Sequence, residues 1–108
     1  MLSQKLISID SLSQLLKSHN IFNFIINYHQ GIDITFNIKD DFFLNIMGAD
    51  FVECLPKAYV NDYEAVSVAL LKGNRLCYLN GSLFCDNAIG NVDFDRLNEL
   101  IKYIKEIL

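Results

Sequence analysis

The amino-acid sequence predicts an α+β fold: an antiparallel sheet of about five to six strands, formed by a hairpin and a three-stranded meander, with N- and C-terminal helices packed on one face. Three observations predict it. Apolar residues recur at helical spacing near both ends of the chain, residues 21–38 alternate at strand spacing, and two-residue turn signals divide residues 64–86. The 108 residues are expected to form a single domain, 1–108.

The N-terminal helix is expected from about Ser8 to Ser18. Ser11 and Gln14 have the spacing of a capping box, so the helix starts at either Ser8 or Ser11. Its stripe comprises Ile9, Leu12, Leu15, Leu16 and His19.

The C-terminal helix is expected from Asp93 or Asp95 to Leu108. Acidic residues at its start and lysines near its end match the two ends of a helix dipole. Its apolar stripe comprises Leu97, Leu100, Ile101, Ile104, Ile107 and Leu108.

Residues 21–38 are expected to form a β-hairpin whose register follows from its side chains. A two-residue turn would mix apolar and polar residues on each face. A three-residue loop, 29–31, pairs Phe24 with Phe36 and Ile26 with Ile34, and leaves one face wholly apolar. This register is predicted because burial of one face fixes strand pairing. It also makes two outer pairs, Phe22 with Ile38 and Tyr28 with Ile32.

Residues 39–62 admit two interpretations. The stretch from Asp40 to Gly48 fits either a short capped helix or a strand with Phe42, Leu44 and Ile46 on one side, and we expect the strand. A break is expected at Leu55 and Pro56, and a turn or loop at residues 61–62.

From residue 63 the pattern predicts a meander of strands 64–72, 75–79 and 82–86. Its turns are the dipeptides Gly73-Asn74 and Asn80-Gly81. The bulkier face, expected under the helices, comprises Val66, Val68, Leu70, Cys77, Leu79 and Phe84. The other face, with Ala65, Ser67, Ala69, Leu71, Leu76, Tyr78, Leu83 and Cys85, is either an interaction or dimer surface or is covered by residues 39–62.

Three cysteines, Cys54, Cys77 and Cys85, lack metal-ligand spacing. A two-residue turn between Cys77 and Cys85 puts them on opposite faces of the hairpin, which excludes a disulfide or a shared metal ion. The odd number of thiols fits a reducing compartment. Because no long apolar run or signal peptide is visible, we expect a cytoplasmic protein without a membrane segment.

The net charge is −4, and residues 33–64 alone sum to −5. Phosphate binding needs a basic face, so nucleic acid is not an expected ligand. A basic protein partner is expected instead. No catalytic, metal or cofactor signature is present, so we expect no enzyme and no cofactor. His19 and His29 are expected to be a helix-end residue and a loop residue.

Large aromatic residues alternate with the carboxylates of this acidic middle region. Such a surface suits capture of a basic partner, with aromatic side chains as anchors and charge speeding the encounter. The expected contact region comprises Asp40, Asp41, Asp50, Glu53, Tyr59, Asp62, Tyr63 and Glu64. Read one by one, these residues also fit a solvated acidic surface over buried aromatics.

In its size, acidity and cysteine content the chain resembles the immunity proteins of bacterial toxin systems, including those of contact-dependent growth inhibition. The resemblance rests on residues 33–64 and on overall character, and on no motif. It implies a protein that binds a basic toxin domain, often a nuclease, and blocks its active site or substrate entry. Two alternatives are a small acidic homodimeric secretion chaperone or adaptor, and an enzyme in which Cys54 or another thiol lies beside a histidine.

Overall fold

The computed structural model describes residues 6–27, 31–49, 63, 65–79, 81–84 and 88–108. These residues form two helices and one sheet, which confirms the predicted α+β class with its terminal helices. In chain order the elements are α1 (Ile9–Ser18), β1 (Phe24–Asn27), β2 (Gly31–Lys39), β3 (Phe42–Ala49), β4 (Val66–Lys72), β5 (Arg75–Leu76), β6 (Ile89–Val92) and α2 (Phe94–Ile107).

The sheet is antiparallel at every described pairing, in the order β1-β2-β3-β4. Two short strands share the far side of β4. β5 pairs with its end, at Leu71 and Lys72, and β6 pairs with its start, at Val66 and Val68. The chain thus leaves the sheet after β5 and returns to the same edge as β6.

The predicted hairpin register is confirmed where the structure describes it. Phe24 lies opposite Phe36, and Ile26 lies opposite Ile34. The outer pair of Phe22 was wrong, because β1 begins only at Phe24 and the Phe22 side chain is 65% exposed. The other outer pair involves residue 28, which lies outside the described residues.

The strand interpretation of residues 42–48 is confirmed by β3. Leu44 and Ile46 are fully buried on one side of this strand, and Phe42 packs partly buried against the same core. The two-residue turn before β3 consists of Asp40 and Asp41. The break and turn expected at 55–56 and 61–62 lie outside the described residues.

The first meander turn is confirmed, because Lys72 pairs with Arg75 around Gly73 and Asn74. The third meander strand was wrong over residues 82–84, which form turns and bends. Leu79 N–H donates to Phe84 O at 2.9 Å. This pair encloses four residues, whereas the predicted turn at Asn80-Gly81 encloses two. The strand that pairs with the start of β4 is β6, and its four residues show little alternation of apolar and polar side chains.

Caps decide where both helices begin. Ser11 N–H donates to Ser8 Oγ at 3.1 Å, and Ser8 N–H donates to Ser11 Oγ at 2.8 Å, so Ser8 is the N-cap of α1. Asp93 caps α2 by accepting from Arg96 N–H at 2.9 Å. Among the described residues no helix is long and apolar enough to cross a membrane.

The core lies between the helices and one face of the sheet, as predicted. Leu12 and Leu16 of α1 and four residues of α2 belong to the same buried cluster as the sheet residues. Ile107 was wrongly placed in the α2 stripe, since its position in the last turn leaves it 43% exposed. The buried sheet residues of this core are Ile34, Phe36, Leu44, Ile46, Val66, Val68, Leu70 and Val92.

Candidate binding surface

Asp40 and Asp41 form the tip of the β2–β3 hairpin, and both side chains are exposed. Asp40 has a φ of 51°, a left-handed conformation that aspartate tolerates better than most residues. Asn37 Nδ2 donates to Asp40 O at 2.9 Å and to Phe42 O at 3.0 Å. One side chain thereby holds the turn that presents both carboxylates.

Basic residues lie close to this tip. Gly73 N–H donates to Asp41 O at 2.8 Å, which places the β4–β5 turn beside the β2–β3 turn. Lys72 lies opposite Phe42, with its Nζ 5.5 Å from the ring centroid, and pairs on its other side with Arg75. This end of the sheet therefore carries both acidic and basic side chains.

The structure corrects the prediction for one residue of the contact region, Tyr63. Its side chain is only 1% exposed and belongs to the core, so it cannot serve as an exposed aromatic anchor in this structure. Its backbone pairs with that of Ile7, through hydrogen bonds of 2.7 and 2.9 Å. The residue ties the chain before β4 to the chain before α1.

The predicted contact region joins the described structure at opposite ends of β3. Asp40 and Asp41 precede the strand, whereas residue 50 follows its last residue, Ala49. With a rise of about 3.3 Å per residue, Phe42 and Ala49, the first and last residues of the strand, lie roughly 23 Å apart. Five of the predicted residues lie outside the described residues: Asp50, Glu53, Tyr59, Asp62 and Glu64.

A polar cluster that was not among the predicted site residues lies on the sheet face turned away from the helices, called the outer face below. Asn45 Nδ2 donates to Asp33 Oδ1 at 2.6 Å and to Thr35 Oγ1 at 3.0 Å. All three side chains are half-buried. The signal was present in the sequence, as polar residues alternating with the buried Ile34, Phe36, Leu44 and Ile46.

The rest of the outer face is more apolar. Phe43 lies opposite Leu71, which in turn lies opposite the 56% exposed Leu76. Ser67, Ala69 and Leu71 are half-buried, in keeping with the smaller, mixed face predicted for β4. The described part of this face carries hydrogen-bonding groups, the Asp33 carboxylate and apolar area.

No group of three or more His, Cys, Asp or Glu side chains that could hold a metal ion occurs among the described residues. His19 caps the C-terminus of α1, and its Nε2 lies 2.7 Å from Asn98 Oδ1 on α2. Cys77 is a free, half-buried thiol, whereas Cys54, Cys85 and His29 lie outside the described residues.

A cleft of about 310 Å³ opens beside His19, between the end of α1 and strand β2. Among the described residues that line it, Lys105 is the one with a charged side chain, and Lys105 Nζ donates to His19 O at 2.9 Å. The ammonium group of Lys105 therefore joins α2 to the end of α1.

Comparison of the chain with protein-family models, with curated proteins and with solved structures gave no match.

Proposed function

We propose that the protein is an immunity protein, which binds a basic toxin domain of the nuclease kind and neutralises it by blocking its active site or substrate entry. One observation carries the proposal. Residues 50–64 hold four acidic residues and one lysine, and so supply −3 of the net charge of −4. A concentrated negative charge speeds the encounter with a basic partner and favours it over other proteins.

Both ends of this acidic segment start from ordered structure. Ala49 ends β3, and Tyr63 is fixed by its buried ring and by its pairing with Ile7. Binding beside these two fixed residues does not have to order them, so no contact energy is lost there. This supports residues 50–64 as the main contact region, with Asp50, Glu53, Asp62 and Glu64 as its charges.

Asp40 and Asp41 have a secondary role in this proposal. Among the described residues, neither carboxylate takes part in a hydrogen bond or an ion pair, so both are available to a cationic partner. The basic residues around them lower the local negative potential. We therefore assign them a smaller share of the binding energy than the segment 50–64.

The proposed activity needs binding alone, with no catalytic residue and no cofactor, in the cytoplasm. Its first test is affinity capture of the tagged protein from its native host, with mass spectrometry and sizing of the complex. We expect a stoichiometric complex with a basic toxin domain. Recovery of no stoichiometric partner, or of a secreted effector in its place, would count against an immunity function.

The captured partner then permits a matched charge experiment. One variant carries Asp50→Asn, Glu53→Gln, Asp62→Asn and Glu64→Gln. The control removes four exposed charges from the helices, through Asp10→Asn, Asp95→Asn, Glu99→Gln and Glu106→Gln. We expect the first to weaken binding at least about tenfold, mainly by slowing association at low salt, and the control to change it by less than about threefold. Equal effects of the two variants would overturn the assignment of the site.

A secretion chaperone or adaptor is the second candidate. It is favoured by three apolar side chains that are about half exposed, namely Leu76, Tyr78 and Leu83. Such a protein would use apolar rather than acidic contacts with its client. Substitution of these three residues by serine should then weaken client binding, while the neutralised acidic segment should leave it unchanged.

A further inference from the structure

A row of three residues crosses the outer face at one end of the sheet. Asp33 lies opposite Met47, and Met47 lies opposite Ser67, so their side chains share this face. β3 ends two residues beyond Met47, at Ala49, and β4 begins one residue before Ser67, at Val66. With strands about 4.8 Å apart, the backbone of Asp33 lies about 10 Å from that of Ser67. The row is therefore at the end of the sheet where the chain leaves β3 for the acidic segment 50–64 and returns to β4.

The Asp33 carboxylate is held in place by its neighbours. Asn45 Nδ2 donates to Asp33 Oδ1 at 2.6 Å, and the same amide donates to Thr35 Oγ1 at 3.0 Å. Among the described residues, no lysine, arginine or histidine forms an ion pair with Asp33. A carboxylate has about four positions that accept hydrogen bonds, so the bond from Asn45 leaves most of this capacity open on a half-buried group.

The surroundings of this carboxylate select the kind of cation that suits it. A lysine ammonium is compact and strongly hydrated, whereas an arginine guanidinium is planar, more weakly hydrated and able to donate two parallel hydrogen bonds to one carboxylate. The half-buried face beside Asp33 therefore favours arginine. The described side chains around it on this face are uncharged, namely Thr35, Asn45, Met47, Ser67 and Ala69.

We propose that Asp33 binds an arginine side chain of the basic toxin domain, and that Asn45 is the positioning residue that orients its carboxylate. This inference rests on the proposed function and extends the contact surface from the acidic segment onto the outer face. A partly desolvated, hydrogen-bonded charge pair mainly slows dissociation, whereas exposed charges mainly speed association. Asp33 and the acidic segment therefore affect different rate constants.

The test uses the captured partner and the isosteric variant Asp33→Asn, which removes the charge and keeps an oxygen that accepts from Asn45. We expect this variant to raise the dissociation rate constant at least about tenfold and to change the association rate constant by less than about threefold. Asp10→Asn, on the exposed surface of α1, is the matched control and should change neither rate constant by more than about twofold. Circular dichroism checks that both variants are folded.

The role of Asn45 is tested by a double-mutant cycle. We expect Asn45→Ala to raise the dissociation rate constant about threefold or more in the wild-type background, because the carboxylate loses its orienting donor. In the Asp33→Asn background the same substitution should have an effect of less than about twofold. Equal effects in the two backgrounds would show that Asn45 does not act through Asp33.

Phenylglyoxal, which modifies arginine side chains, identifies the cation. The reaction is carried out at concentrations that saturate both complexes, and mass spectrometry locates the modified residues of the partner. We expect one arginine that is protected in the complex with the wild-type protein and modified in the complex with Asp33→Asn.

The outcomes separate this inference from the proposed function. A captured basic partner that dissociates from Asp33→Asn as slowly as from the wild type would overturn the inference and leave the proposed function standing. The same holds for a loss confined to the association rate constant, or for a partner in which no arginine changes its protection. Recovery of no basic partner would overturn both.

Discussion

Tyr63 lies directly over Gly48: a β-carbon built at position 48 would be 2.9 Å from Tyr63 Cδ2. The ring has little room to retreat, because it is 1% exposed and the Tyr63 backbone is paired with Ile7. Glycine at position 48 therefore lets β3 and Tyr63, which lie on either side of residues 50–62 in the sequence, pack closely together.

We expect Gly48→Ala to destabilise the protein by about 1–3 kcal/mol, since an added methyl group in a packed core forces its neighbours to shift. Urea denaturation measures the change in the free energy of unfolding. The matched test is the same substitution in a Tyr63→Leu background, where the smaller side chain relieves the contact. If Gly48→Ala costs the same in both backgrounds, the contact with Tyr63 is not the cause.

The reciprocal hydrogen bonds of Ser8 and Ser11 yield a second prediction. We expect Ser8→Ala to cost about 1 kcal/mol of stability, because it leaves Ser11 N–H without its capping acceptor. Ser13→Ala, inside the same helix, is the control and should change stability by less than about 0.5 kcal/mol. Thermal or urea unfolding of both variants measures the difference. A larger cost for Ser13→Ala would contradict the assignment of the cap.

Much of the fold follows from local signals in the sequence. The β1–β2 register was predictable because only one pairing collects Phe24, Ile26, Ile34 and Phe36 on a single face. For the start of α1 the sequence offers two serines, Ser8 and Ser11. The choice between them depends on their reciprocal hydrogen bonds. Helix ends are set by such geometry rather than by apolar spacing.

The failures come from non-local packing. The apolar residues after the Asn80-Gly81 dipeptide indicate a strand over 82–86, but of the described residues 82–84 only Phe84 is buried. So short a stretch does not tell a strand from a folded-back loop. The neighbouring carboxylates indicate that Tyr63 is an exposed aromatic residue, yet it pairs with Ile7, which lies near the N-terminus and far from it in sequence. No local pattern reveals such a contact. The proposed contacts of residues 50–62 stay predictions.

The loop after β5 yields a third prediction. Phe84 is 1% exposed in the core, whereas its neighbour Leu83 is 47% exposed. We expect Phe84→Ala to cost about 3–5 kcal/mol because it empties a buried site. Leu83→Ala should cost less than about 0.5 kcal/mol, since the Leu83 N–H that donates to Tyr103 Oη at 2.9 Å is retained. Similar costs for the two variants, in urea denaturation, would show that the loop is not anchored by Phe84.

Asn37 yields the last prediction, which connects stability to the proposed binding surface. Its side-chain amide donates to the carbonyls of Asp40 and Phe42, so it holds the turn that presents Asp40 and Asp41. We expect Asn37→Ala to cost about 0.5–1.5 kcal/mol of stability in urea denaturation. The exposed Asn23, which precedes β1, is the control, and Asn23→Ala should change little. Because a looser turn presents its carboxylates less well, Asn37→Ala should also weaken binding of the captured basic partner, by a smaller factor than neutralisation of residues 50–64. If Asn37→Ala lowers stability but leaves affinity unchanged, Asp40 and Asp41 do not belong to the contact region.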